Sequence, residues 1–219
     1  MDDAIRLLLG DDHRIVREGL KQVFADAPDL RVCAEAVDGD DVLRQVAALG
    51  GAEGLDVVVL DIAMPGRDGL DVLQALRAGW PALPVLMLST YPERQYAVRC
   101  IKLGAAGYLN KGADPDVMVA AVRKLAGGGV YVTPATAEAL ATAVGGAGAR
   151  SGPEALSHRE HQVFRLLISG HSVGEIGARL HLASNTVSTY RARILEKTGT
   201  RNDVELALYA ERHARPPGL

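Results

Sequence analysis

Four short segments carry side chains able to do chemistry together: the adjacent carboxylates Asp11-Asp12, the single carboxylate Asp61, the hydroxyl of Ser89 and the ammonium of Lys111. Asp61 says most about the others, because it ends the apolar run Val57-Val58-Val59-Leu60 and is followed by Ile62-Ala63-Met64-Pro65-Gly66. A short uninterrupted apolar run suits a strand buried on both faces of a parallel sheet, and Pro65-Gly66 then stops the strand and turns the chain. Asp61 is therefore expected at the carboxyl end of a central strand, where open α/β sheets bind their ligands. An isolated aspartate in such a place more often just caps a turn; the other three segments change that weighting. Asp11-Asp12 follow an apolar run over 5–9, Ser89 follows Val85 to Leu88, and Lys111 follows Gly107-Tyr108-Leu109.

If these runs are parallel strands, their carboxyl ends share one edge and the five side chains converge. Three close carboxylates repel one another, and a bound cation or a raised pKa relieves the repulsion. All-oxygen ligation with water in the remaining positions suits Mg²⁺. An ammonium and a hydroxyl beside one carboxylate suit a phosphoryl group carried on that carboxylate, with positive charge offsetting the charge of in-line transfer.

The elements that must position these groups alternate in type. Strands are expected over Ile5 to Leu9, Val32 to Ala36, Asp56 to Leu60, Val85 to Leu88 and Gly107 to Leu109. Between them the periodicity predicts a helix buried through Ile15, Gly19, Leu20, Val23 and Phe24, then helices over Asp41 to Leu49, Leu70 to Arg77 and Glu93 to Leu103. Pro115 to Leu125 closes the series, with proline in its first turn. Five β-α units need right-handed crossovers and give a parallel sheet covered on both faces, so the expected fold is a five-stranded doubly wound, flavodoxin-like α/β sheet.

Composition sets the outer bounds. A chain of 219 residues with net charge −3 has room for one large domain or two modest ones. Met1-Asp2-Asp3 is no basic leader, and no apolar run approaches the roughly 20 residues of a membrane span, so a cytoplasmic location is expected, with no membrane partner. Cys33 and Cys100 read as reduced core thiols, and the six histidines show no zinc spacing. Residues 1–126 hold 14 basic against 19 acidic side chains, and residues 127–219 hold 10 against 8, so the second part is the one suited to a polyanion. Gly127-Gly128-Gly129, a helical stretch from about Pro134 to Val144 and the Gly/Ala/Ser-rich run from Gly145 to Pro153 make a connector over 127–155.

Four helices are expected beyond it, over Glu160 to Ser169, Val173 to His181, Asn185 to Thr198 and Asp203 to Arg212. Ser157/Glu160, Ser172/Glu175 and Asn202/Glu205 have capping-box spacing, and Ser184 is a further cap. The tight turn His181-Leu182-Ala183 and the cations Arg191, Arg193 and Lys197 on the third helix suggest an all-α helix-turn-helix domain over 156–213, followed by a tail over 214–219. A four-helix interaction module fits the same pattern. On the third helix Val187, Tyr190 and Ile194 should turn inward, leaving Asn185, Ser188, Thr189 and Ala192 as a small polar face able to approach base edges.

With these motifs in hand, residues 1–126 resemble the receiver domain of bacterial two-component response regulators, through Asp11-Asp12, the segment Leu60 to Gly69, Ser89 and Gly107-Tyr108-Leu109-Asn110-Lys111. The resemblance implies that a sensor histidine kinase phosphorylates Asp61 and that Mg²⁺ is held by Asp11, Asp12, Asp61 and the backbone carbonyl of Ala63. It also implies that Lys111 pairs with the phosphoryl group, while Ser89 moves and Tyr108 turns inward to report the modification. Such a receiver promotes its own phosphoryl transfer without being a conventional enzyme. Residues 156–213 resemble the LuxR-type helix-turn-helix domain, through Leu156 to Glu160, Glu175-Ile176, Asn185-Thr186-Val187-Ser188 and Lys197-Thr198-Gly199.

Together the two resemblances indicate the NarL/FixJ subfamily, acting as a homodimer on promoter DNA, with RNA polymerase a further candidate partner. Asn185, Thr186, Ser188 and Thr189 are the expected base-facing residues; Arg191, Arg193 and Lys197 are expected at phosphates. Ser188, Tyr190 and Thr198 depart from residues common in that family, so its base preferences do not carry over. The alternatives are an interaction module, and a phosphotransferase of the haloacid dehalogenase type, which wants a second aspartate where Ala63 stands.

Overall fold

The computed structural model describes residues 4–90, 93–145, 156, 158–180 and 182–214. It contains two compact units, Met1–Ala147 and Gly148–Leu219.

In the first unit β1 (Ile5–Gly10), β2 (Leu30–Ala36), β3 (Val57–Asp61), β4 (Val85–Ser89) and β5 (Gly107–Asn110) form one parallel sheet in the order β2-β1-β3-β4-β5. Strand order reverses at β1, and the crevice beyond the ends of β1 and β3 is where such sheets bind ligands. Alternation along the strands divides the core: Leu7, Leu9, Val57 and Val59 face α1 (Arg14–Ala25) and α5 (Pro115–Ala126). Leu8, Val58 and Leu60 face the other side, where α2 (Gly39–Ala48), α3 (Gly69–Gly79) and α4 (Glu93–Lys102) pack. Asp38 caps α2 through the Asp41 amide at 2.7 Å, and Asp68 caps α3 through the amides of Leu70 and Asp71, each at 3.0 Å.

Three sequence expectations shift. Ile15 is 87% exposed, whereas Arg17, Leu20 and Phe24 form the buried stripe of α1; at about 100° per residue Ile15 lies on the opposite side from Phe24. Cys33 is exposed, because alternate side chains of the edge strand β2 point to solvent. Cys100 is the core thiol, and burial pushes its pKa up to about 12. The linker expected from 127 also begins later: Tyr131 bridges to Gly107 at the free edge of β5, its amide donating to the Ala106 carbonyl at 2.8 Å. Then α6 (Pro134–Gly145) packs on α4, with the Thr133 and Thr136 hydroxyls donating to the Glu93 carboxylate. Residues 146–155 and the Arg215-Pro216-Pro217 tail lie outside the described residues.

The second unit comprises α7 (His158–Ile168), α8 (Val173–Leu180), α9 (Ser184–Thr198) and α10 (Asp203–Ala214) around Leu156, Val163, Phe164, Leu167, Ile176, Val187, Ile194 and Leu206. Ser172 and Glu175 form a reciprocal capping box, with Ser172 N to Glu175 Oε2 at 2.8 Å and Glu175 N to Ser172 Oγ at 3.3 Å. Asn202 caps α10 in one direction only, since the Glu205 carboxylate accepts from Arg201 N. Ser157 lies outside the described residues, and Ser184 is the first residue of α9, not its cap; Ala183 occupies that position with no side-chain bond. Left-handed Gly170 and Gly199 end α7 and α9, with His171 N on Leu166 O and Thr200 N on Leu195 O closing the last turns.

Candidate functional site

The β1–β3 crevice collects the expected carboxylates. Every polar atom of buried Asp11 has a partner. Its N–H donates to Ala36 O at 3.1 Å, and its carbonyl accepts from Arg17 Nη1 at 2.7 Å. Oδ1 accepts from His13 N at 2.9 Å, and Oδ2 lies 2.6 Å from Lys111 Nζ. The same ammonium is 2.9 Å from Oδ2 of buried Asp61, so one cation bridges two carboxylates. Lys111 follows β5 and its amide donates to Ser89 O at 2.8 Å, which fixes the ends of β4 and β5 to each other. Asp12, 30% exposed, sits at the rim with Oδ1 2.8 Å from His13 Nδ1. One ligand atom from each of Asp11, Asp12, His13 and Asp61 lies within 4.8 Å of the others.

The electrostatics follow from burial. Desolvation raises the Asp61 pKa above the ordinary carboxylate range; Lys111 opposes it, Asp11 adds to it, and a bond from the Ala63 amide works against it. For Lys111 burial disfavours charge, but Asp61 and Asp11 outweigh burial and its pKa is raised, so it stays an ammonium. The buried oxygens Asp11 Oδ2 and Asp61 Oδ2 face the Lys111 ammonium at ion-pair distance, and Asp12 Oδ1 faces the His13 ring, each without a well-aligned hydrogen bond. Gly69 shapes the pocket wall: a methyl there would stand 2.0 Å from Asp61 O, so only glycine lets the start of α3 close on the end of β3.

Ser89 is fully buried, and Tyr108 lies in the core on the α4 side with its hydroxyl hydrogen-bonded to Ser89. Burial pushes the phenol pKa above its ordinary value, against that hydrogen bond. Tyr108 was expected to turn inward on modification; in this structure it is already inward.

In the second unit Val187 and Ile194 of α9 are fully buried and Tyr190 is partly so. Asn185, Thr186, Ser188, Thr189, Ala192 and Arg193 are exposed, and a shallow groove runs past Asn185, Thr186, Thr189, Tyr190 and Arg193. The Thr189 hydroxyl donates to Asn185 O at 3.0 Å, so toward a base it serves as an acceptor. Two expected phosphate contacts have other partners. Arg191 Nε binds both oxygens of Asp203 at 2.8 and 3.1 Å, and Lys197 Nζ lies 2.6 Å from Oε2 of Glu160, which is 2% exposed. Among the described residues, Arg193 is the one of the three with no ion pair.

Residues 7–123 match the response regulator receiver domain, and residues 154–210 match the luxR family of bacterial regulatory proteins. The chain is a two-component response regulator. It belongs to the NarL/FixJ subfamily and is 37% identical over 210 residues to the response regulator GacA of Pseudomonas aeruginosa, covering 95% of this chain and 96% of that one. It is 40% identical over 203 residues to the transcriptional regulatory protein UhpA of Escherichia coli, covering 93% and 96%. The solved response regulator ChrA of a haem-sensing two-component system is 34% identical, with a TM-score of 0.52 over 96% of this chain and 98% of that one. Proteins of this family are regulators, not conventional enzymes. No helix among the described residues is long and apolar enough to cross a membrane.

Sequence reasoning missed two residues of this regulator's acidic site, His13 and Arg17. His13 carried a signal in its place beside Asp12. Arg17 carried one too, as a cation in the apolar stripe it shares with Leu20 and Phe24.

Proposed function

We propose that this regulator accepts a phosphoryl group on Asp61 from a sensor histidine kinase and that the modification changes its affinity for promoter DNA. The observation that carries this reading is the single ammonium of Lys111 bridging two buried carboxylates, with a third at the rim. Such a pocket holds more negative charge than its lysine offsets, and its oxygen donors fit Mg²⁺. Asp11, Asp12, Asp61 and the Ala63 carbonyl would hold the ion, which supplies Lewis-acid stabilisation of phosphoryl oxygens. An Asp61 oxygen attacks phosphorus in line, forming an O–P bond as the bond to the donor breaks. Lys111 then turns from the carboxylates to the phosphoryl oxygens, and Ser89 Oγ donates to one of them, releasing the Tyr108 hydroxyl. Ala63 brings no polar side chain, so hydrolysis is not steered from that position.

On DNA, α9 enters the major groove by its small polar face, and Arg193 is the α9 cation left for phosphate. A second copy would join through α10, where Val204 is 71% and Leu208 51% exposed. RNA polymerase is a further candidate partner, and a cytoplasmic location follows from acting on promoter DNA. Acetyl phosphate labelling tests the core of this reading. Acid-labile phosphate should form with Mg²⁺ on wild type and not on Asp61→Asn; undiminished labelling of the variant would move the site elsewhere.

A further inference from the structure

We propose that Arg17 is a positioning residue for the acidic site, acting through the peptide that joins Asp11 to Asp12. A buried guanidinium needs partners, since an unpaired buried charge is costly. Glu35 supplies one, its Oε2 3.2 Å from Arg17 Nε, and Glu35 is held in turn by Lys21 at 2.7 Å, which also reaches Glu18 at 2.9 Å. The other bond, at 2.7 Å, goes to the Asp11 carbonyl and not to a carboxylate. Charge compensation is thus met by Glu35, and the inner nitrogen of Arg17 fixes a backbone oxygen inside the site.

That oxygen matters because the other three polar atoms of Asp11 are already held, by Ala36 O, by His13 N and by Lys111. The carbonyl bond sets the remaining freedom, the tilt of the Asp11–Asp12 peptide plane, and with it the direction in which Asp12 leaves the strand end. Asp12 needs this help more than its neighbours: Lys111 pairs with Asp11 and Asp61, while Asp12 sits at the rim against His13. Removing the Arg17 donor leaves a buried carbonyl unsatisfied, and the peptide tilts to find another partner, carrying the Asp12 oxygen away from those of Asp11 and Asp61. Metal ligands depend on such outer contacts, whose loss typically costs tenfold or more in affinity.

This inference rests on the reading of the pocket as a Mg²⁺-dependent phosphoacceptor, and calorimetry with Mg²⁺ alone tests it separately from labelling. In the full chain, Arg17→Met should raise the Mg²⁺ dissociation constant and the half-saturating Mg²⁺ for acetyl phosphate labelling about tenfold, with the rate at saturating Mg²⁺ changed less than about twofold. Arg17→Lys, which keeps a donor for the carbonyl, should recover most of the affinity and stay about threefold weaker than wild type. Glu35→Gln should leave Mg²⁺ affinity unchanged while lowering the melting temperature. If Arg17→Met and Arg17→Lys melt lower yet bind Mg²⁺ as wild type does, Arg17 serves only the core and the proposal is overturned. Should Arg17→Met fail to fold, wild-type affinity in Arg17→Lys overturns it alone. Mg²⁺ binding by wild type without labelling would refute the phosphoacceptor reading and leave the Arg17 comparison standing.

Discussion

Lys111 and Lys197 each place an ammonium 2.6 Å from a carboxylate that solvent hardly reaches, yet the two regions around them have opposite uses for charge. Lys111 serves two carboxylates with a third nearby, so the pocket keeps an excess of negative charge inside a desolvating wall. Lys197 meets the buried Glu160, joining α9 to α7, and the pair offers little to a ligand. Arg191 is absorbed in the same way by Asp203. The difference teaches that a cation counted in a sequence is not a cation available to a partner. The reading helix is left small and polar, with most of its charge used to hold the unit together.

Substitutions at the two lysines separate these roles most sharply. Lys111→Ala should keep or tighten Mg²⁺ binding, because two carboxylates lose their competitor, while the gain in DNA affinity on phosphorylation is lost. A variant that still gains affinity would show that the ammonium does not contact the phosphoryl group. Lys197→Ala should act on stability instead, by about 1–3 kcal/mol in urea melts, since it takes a charged hydrogen-bond donor away from the buried Glu160 carboxylate. Restoring the loss with the pair Lys197→Met and Glu160→Met would confirm that the ion pair is structural, as apolar replacements of buried pairs often are tolerated.

Ser89→Ala is the next largest change. It should leave Asp61 modifiable but uncouple modification from DNA affinity, measured by band shifts with and without acetyl phosphate; normal coupling would remove Ser89 and Tyr108 from the route. Arg193→Ala sharpens the reading-helix side. It should weaken all sites about equally and lower the slope of log affinity against log salt by about 1, with folding unchanged. A changed base preference at unchanged slope would make Arg193 a base reader.

The smallest effect concerns pH. Burial, helped by the charge of Arg165, holds the His161 pKa below its ordinary value of 6.5. The contribution to stability is therefore full above about 6.5 and is lost as pH falls through the lowered folded value, because the unfolded chain takes the proton first. Hydrogen exchange of the α7 amides, corrected for intrinsic rates, should show this weakening as pH falls below about 6.5, and His161→Gln should flatten it.

Much was legible before any coordinates. Apolar runs ending in turn residues located all five strands, and the parallel order then required Asp11, Asp61, Ser89 and Lys111 to share one edge. In the second unit the cap residues Ser172 and Asn202 located the starts of α8 and α10. Those signals are local: period, turn chemistry and capping act within a few residues and need no partner from afar.

What only the tertiary structure decided were the partners of long polar side chains and the faces left open. Ile15 and Cys33 looked apolar enough for the core, but helix phase and an edge strand turned them outward. Arg17 drew no notice in the sequence and is bound to a carbonyl inside the site, while Lys197 looked available and is held by Glu160, 37 positions away. The residues from Tyr131 onward read as connector, yet they found the open edge of β5 and the Glu93 carboxylate of α4. A flexible charged side chain can reach many neighbours with similar local energy, so its sequence neighbourhood leaves its partner open. Burial breaks that degeneracy, because a desolvated charge or carbonyl must be paired, and the fold alone determines which groups are buried together.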